Sequence, residues 1–377
     1  MKKRNTFVGI IVASILAGQQ LANGEVMLQW FNTTWQQMID TIPHLSEIGY
    51  GSIYVPVPNK AGSQWSVGYD LHDRFDLGDE DQNGTIATKY GTKHELIQLV
   101  ALAHRFGIRV YFDNVMNHNS FGVPGYDENT PITLYPDMLP EDFHMVQVDG
   151  QFWRKSGSIQ QHHYDTGDHQ AIQHYTLSDL NDISNESGNW DIPGPDLSFV
   201  RQPTEPDKYP DYTDSSNFVA DADGNKVFKF RDSDRSTGDP VSEDVNAYLN
   251  RAVRWTMHET KCDGFRFDAA KHVIPDFFGE WKDAGNWGSY LGYCGVIQAE
   301  FDAIHGFSDG DTRNSLFDED APRDDAMLFG EAVPHSNLDL FDYVRRGMRL
   351  LDFSYEGTAS STIDGWGNQK YAGNLLN

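Results

Sequence analysis

Residues 263–272 read Asp-Gly-Phe-Arg-Phe-Asp-Ala-Ala-Lys-His, and the fold of the remaining chain follows from how this stretch is read. From Phe265 to Asp268, large apolar and charged side chains alternate, the period of two that marks a β-strand with unlike faces. Phe265, Phe267 and Ala269 are expected to pack on one face, with Arg266 and Asp268 on the other. A guanidinium two residues from a carboxylate favours its charged form. An ionised carboxylate at a strand end is the group a covalent nucleophile requires. Alone, the Arg-x-Asp pattern is better read as a structural ion pair on an edge strand.

Two more stretches shift that balance. Residues 111–118 read Tyr-Phe-Asp-Asn-Val-Met-Asn-His, a second strand ending in polar groups. Residues 328–333 read Leu-Phe-Gly-Glu-Ala-Val, a third apolar strand delivering a single carboxylate. Taken in chain order, 111–118, 263–272 and 328–333, the three resemble the first, second and third signature regions of the α-amylase family of glycoside hydrolases (family 13). Among its members, the chain looks most like a secreted bacterial-type α-amylase. The resemblance implies a (β/α)8 barrel with a small β-rich domain inserted after the third strand.

The predicted elements agree with alternating β/α architecture. Strands are expected at 26–30, 52–56, 108–114, 265–268, 328–333 and 350–353. A helix around Trp35 to Ile48 is stopped by Gly49. Another opens with a capping box of Thr92 and Glu95, carries the apolar stripe Leu96, Leu99, Val100 and Ala103, and ends at Gly107. Ser242 is expected to start a third helix. Between about 119 and 240 the chain is irregular, with hairpin turns predicted at Asp149-Gly150 and Asp223-Gly224. So long a stretch fits a compact domain only if it folds as a unit of its own. The expected layout is a signal peptide over 1–24, barrel over 25–118, inserted domain over 119–240 and barrel again over 241–377. Six barrel strands are legible, and the family's fourth signature region is not found before Asn377. The chain is therefore expected to be a C-terminally truncated, incomplete barrel that is inactive by itself.

Barrel enzymes carry their sites at the carboxyl ends of the strands. Two carboxylates about 5–5.5 Å apart across a glycosidic bond support double displacement with retention. The resemblance gives Asp268 the role of nucleophile, kept ionised by Arg266, and Glu331 that of acid and base. The apolar flanks Phe329 and Val333 are expected to raise the Glu331 pKa. Asp113 is expected to orient Arg266. Tyr69 matches the family's stacking tyrosine, an aromatic face suited to a sugar ring. His118 is expected to donate to a sugar hydroxyl, and Trp65, Lys271 and His272 are assigned to substrate binding. Calcium is the implied metal, bound by hard oxygen ligands. Its expected ligands are the Asn117 side chain, the His272 carbonyl and Asp196, with Asp182 or Asp239 as alternatives to the last. Residues 79–84, Asp-Glu-Asp-Gln-Asn-Gly, imitate half an EF-hand loop, but Tyr90 stands where a bidentate Glu is needed.

Composition bounds the partners. The 377 residues carry a formal net charge of −27, which argues against nucleic acid. A neutral glucan would not be repelled. Lys2, Lys3 and Arg4 precede an apolar run from Phe7 to Ala17, too short to span a bilayer and shaped like an export signal. Secretion, a monomer and no stable membrane association are expected. Cys262 and Cys294 are the two cysteines, as a disulfide or as free thiols. The expected activity is hydrolysis of internal α-1,4 bonds in starch and maltooligosaccharides. A transglycosylase, a maltooligosaccharide-forming exo-enzyme and an inert amylase-like binding protein are the alternatives.

Overall fold

Six short strands lie parallel in one sheet, and their spatial order is their order in the chain. They are β1 (Met27–Gln29), β2 (Ser52–Val55), β3 (Arg109–Asn114), β4 (Gly264–Phe267), β5 (Met327–Gly330) and β6 (Arg349–Leu350). A helix follows each of the first five: α1 (Trp35–Glu47), α2 (Lys93–Arg105), α3 (Val245–Thr260), α4 (Tyr293–His305) and α5 (Asn337–Val344). Parallel neighbours joined by helical crossovers, with no reversal of order, curl into a barrel instead of a doubly wound sheet. The arrangement is an incomplete (β/α)8 barrel. This computed structural model describes residues 26–121, 135, 138, 142–143, 145–148, 151–154, 177, 180–185, 200–201, 218–220, 226–228, 241–242, 245–279, 292–305, 326–332 and 337–351. The expected signal segment lies outside them.

Strand parity sorts the side chains. Ile53, Val55, Val110, Phe112, Phe265, Phe267 and Leu328 join the large core between strands and helices. Tyr54, Tyr111 and Phe329 form a separate cluster on the opposite face. Asp113, Arg266 and Glu331 share the parity of this second set. The split expected at Phe265, Arg266 and Phe267 is therefore the split observed. At the start of β4, Gly264 has φ +149°, and a Cβ there would sit 2.1 Å from the Met327 carbonyl oxygen. Only glycine lets β4 and β5 approach in this register.

The helix signals hold where they are local. Thr92 and Glu95 close their capping box, and Leu96, Leu99, Val100 and Ala103 are all buried. Thr34 and Gln37 form a second capping box on α1. Ser242 differs: it pairs with Val200 in a two-residue strand, and α3 starts at Val245. Cross-strand pairing captures the serine before the helix begins. The two expected hairpin pairings are present, Met145–Val148 with Gln151–Arg154 and Phe218–Ala220 with Lys226–Phe228. Cys262 and Cys294 are buried free thiols, and burial pushes the Cys262 thiol up to about 12, which makes it unreactive. Among the described residues no helix is long and apolar enough to cross a membrane.

The loop that imitates an EF-hand is organised by a side chain. Lys60 Nζ donates to the carbonyls of Glu80, Thr85 and Ile86 at 3.1, 2.7 and 2.6 Å and lies 3.4 Å from the Asp76 carboxylate. Asp76 in turn accepts from the backbone N–H groups of Gly78, Asp79 and Glu80. An ammonium thus sits where several oxygens converge.

Candidate active site

The ladders place three carboxylates on one face, Asp113 level with Arg266, and Asp268 and Glu331 two residues further along. Arg266 pairs in register with Asp113 on β3 and with Phe329 on β5. One step beyond the ladder, Asp268 N–H donates to Asn114 O and Glu331 N–H to Phe267 O, each at 2.9 Å. Asp268 and Glu331 therefore leave adjacent parallel strands side by side. Strand spacing of about 4.8 Å sets the distance between the two backbones. Ala269, with φ +49° and ψ +34°, then turns the chain away in a left-handed conformation. A non-glycine residue held there costs about 1–3 kcal/mol and sits directly beside the expected nucleophile.

Arg266 is the hub. Its Nη1 donates to Asp113 Oδ1 and to Asp268 Oδ1, both at 2.7 Å, and its Nη2 donates to Glu331 Oε2. Tyr54 and Tyr69 each donate a hydroxyl to Asp113 Oδ2 at 2.7 Å. Three acids against one guanidinium correct an expectation. Arg266 does not by itself keep Asp268 ionised: burial, then the Asp113 charge, push its carboxyl up to about 7, against the pull of Arg266, with Glu331 adding to the rise. The surroundings of Glu331 also differ from the apolar ones expected. Its side chain is 35% exposed, with the guanidinium against it.

The remaining expected residues fall into groups. His118 is buried, and burial holds its imidazole down at about 4. Its Nε2–H donates to the Tyr69 carbonyl at 3.0 Å, while Nδ1 accepts from Asn117 Nδ2 at 3.2 Å. Both ring nitrogens are used, so in this arrangement His118 braces Tyr69 and offers no donor to a sugar. Lys271 is within electrostatic reach of Glu331, and His272 is buried in the 3₁₀ turn Ala270–His272. Trp65 is 78% exposed and stands outside the hydrogen-bonded cluster. Asn117 Nδ2 donates to Asp182 Oδ1 at 3.0 Å, and both residues are buried. Asp196 and Asp239 lie outside the described residues. Among the described residues no group of three or more His, Cys, Asp and Glu gathers in a metal-holding arrangement.

Two residues escape the sequence reading. Tyr54 has the parity of Ser52 and is opposite Ile53 and Val55, so an amphipathic ring at that position was a usable signal. Arg74 donates to the carbonyls of Val115 and His118, both at 3.2 Å, and props the segment that carries Asn117. Nothing in its local sequence marks that role.

The family model for the α-amylase catalytic domain matches residues 22–158. The cytoplasmic α-amylase of Escherichia coli (strain K12) is 29% identical over 258 residues, covering 66% of this chain and 46% of that protein. Over residues 22–158 the chain is similar to the α-amylase catalytic domain. The α-amylase of Geobacillus stearothermophilus is 27% identical over 272 residues, covering 69% of this chain and 44% of that protein. The glucan 1,4-alpha-maltohexaosidase of Bacillus sp. (strain 707) is 25% identical over 288 residues, covering 73% and 50%. This chain thus spans about half the length of the curated relatives it matches. Among solved structures, the Geobacillus thermoleovorans α-amylase overlays with a TM-score of 0.49 at 16% identity, covering 89% of this chain and 52% of that one.

Proposed function

We propose that the protein carrying this chain is a retaining glycoside hydrolase that cleaves internal α-1,4-glucosidic bonds of starch and related glucans. The observation that carries this reading is the placement of Asp268 and Glu331 at the ends of adjacent parallel strands, both held by Arg266. In its ionised form Asp268 attacks the anomeric carbon, forming a glycosyl ester as the glycosidic C–O bond breaks. Glu331, in its protonated form, gives that proton to the departing oxygen. Glu331 then takes a proton from water, whose oxygen displaces Asp268 and restores the original anomeric configuration. Proton transfer to Glu331 weakens its charge-assisted bond to Arg266, leaving the guanidinium to Asp113 and Asp268. Tyr69, braced by His118, offers a ring face to the sugar, and Lys271 stands on the Glu331 side.

Calcium belongs to the same proposal. Asn117 and Asp182 are buried oxygen-bearing residues in contact, the donor chemistry this ion takes, and the His272 carbonyl would join them. Bound there, the ion would tie the end of β3 to the segment around Asp182. Export by the N-terminal segment is part of the proposal as well.

The test is release of reducing sugar from soluble starch by the full-length protein. Asp268→Asn and Glu331→Gln are each expected to lower the rate at least about a thousandfold. An undiminished rate in either variant refutes the assignment.

A further inference from the structure

Tyr54 is used by no step above, yet it touches the carboxylate cluster. Its ring is fixed edge-on against Phe31 and Phe329, with centroids at 5.1 and 5.5 Å. Its hydroxyl donates to Asp113 Oδ2, which also accepts from Tyr69, while Oδ1 accepts from Arg266. Tyr54 is 5% exposed and Asp113 1%, so water does not stand in for the hydroxyl.

Asp113, Asp268 and Glu331 share one guanidinium, and with Asp113 and Asp268 buried, three like charges around a single cation favour a proton on one of them. The proton settles where the charged form has least hydrogen-bond support. Asp113 receives three donors, two of them from groups that Asp268 and Glu331 do not touch. A proton on Asp113 would have to displace one of those donors. We infer that Tyr54 is a positioning residue: with Tyr69 it holds Asp113 as the anion that aims Arg266, and so leaves the cluster's mobile proton to Asp268 and Glu331. This rests on reading those two as the reacting pair. Burial leaves the Asp113 carboxyl raised on balance, and Arg266, Tyr54 and Tyr69 pull against that rise, so the loss of one donor is expected to raise it further.

The experiment is a carboxyl-¹³C aspartate NMR titration of the full chain, with Asp113→Asn and Asp268→Asn identifying the two resonances. In Tyr54→Phe, Asp113 is expected to titrate about one pH unit higher or more, the scale of one hydrogen bond to a charged group. Asp268 is expected to titrate lower, because the neighbouring charge that raises it is lost sooner. Replacement of Tyr54 by 3-fluorotyrosine keeps the shape and strengthens the donor, so both shifts reverse sign. This second variant decides the question even if the phenylalanine variant does not fold. Unmoved titrations in a folded variant, judged by circular dichroism, overturn the inference. Hydrolysis abolished by Asp268→Asn with unmoved titrations sinks the Tyr54 role alone. Moved titrations in a protein without glucan hydrolysis keep it and sink the proposed function.

Discussion

At the scale of single residues, Asp268 connects pH to both rate and stability. Its carboxyl is pushed up to about 7 by burial and the Asp113 charge, from an ordinary value of 3.8. As the proposed nucleophile, Asp268 must be ionised, so kcat/KM of the full-length protein is expected to rise with pH through about 7, read from a pH–rate profile. The stability effect has the opposite direction. A folded-state value above the unfolded one means the folded protein binds the proton more tightly. Stability from this group is complete below about 3.8 and is lost as pH rises through about 7. Asp268→Asn removes the titration, so its melting temperature is expected to gain on that of the unchanged protein between pH 4 and pH 7. A constant difference across that window counts against the buried acid.

At the scale of elements, Lys60 shows how a loop is built around a charge. The strand residue Lys60 and the loop residue Asp76 are both fully buried and 3.4 Å apart, with three carbonyls completing the ammonium's surroundings. Breaking a buried pair by removing one partner leaves an uncompensated charge and costs about 3–5 kcal/mol. Lys60→Met is therefore expected to lower stability by that amount in denaturant titration, and to expose the 80–86 loop to proteolysis. A variant as stable as the original would show that the backbone turns suffice without the ammonium. The capping boxes of α1 and α2, by contrast, depend on neighbours three residues apart. The α2 box was legible in the sequence for that reason. Lys60's partners lie 16 to 26 positions away, and no local pattern announces them.

At the scale of the whole molecule, the strand His118–Phe121 pairs with Leu180–Asp182, bringing Asp182 to Asn117 across more than sixty residues. If calcium binds there, it ties two distant stretches of chain, and chelation is expected to lower the melting temperature by at least about 5 °C. Calcium should restore it and magnesium should not, since magnesium demands a tighter octahedral shell. An unchanged melting curve after chelation removes the metal from the proposal. Asp182 was one of three sequence alternatives for the proposed ligand. Spacing along an irregular segment does not show that Asp182 meets Asn117, whereas the antiparallel ladder brings it there.

The sequence by itself determined the parallel strands, their unlike faces, the helices between them, and the residues Asp268, Glu331 and Arg266. These are encoded in periods of two and 3.6 and in motifs a few residues long, where chain neighbours remain spatial neighbours. Only the tertiary structure decided who shares Arg266, that Tyr54 supports Asp113, that His118 spends both nitrogens on its neighbours, and that Asp268 titrates near 7. Such properties depend on desolvation and on charges brought together from separate strands, and these forces act only once those strands have packed side by side.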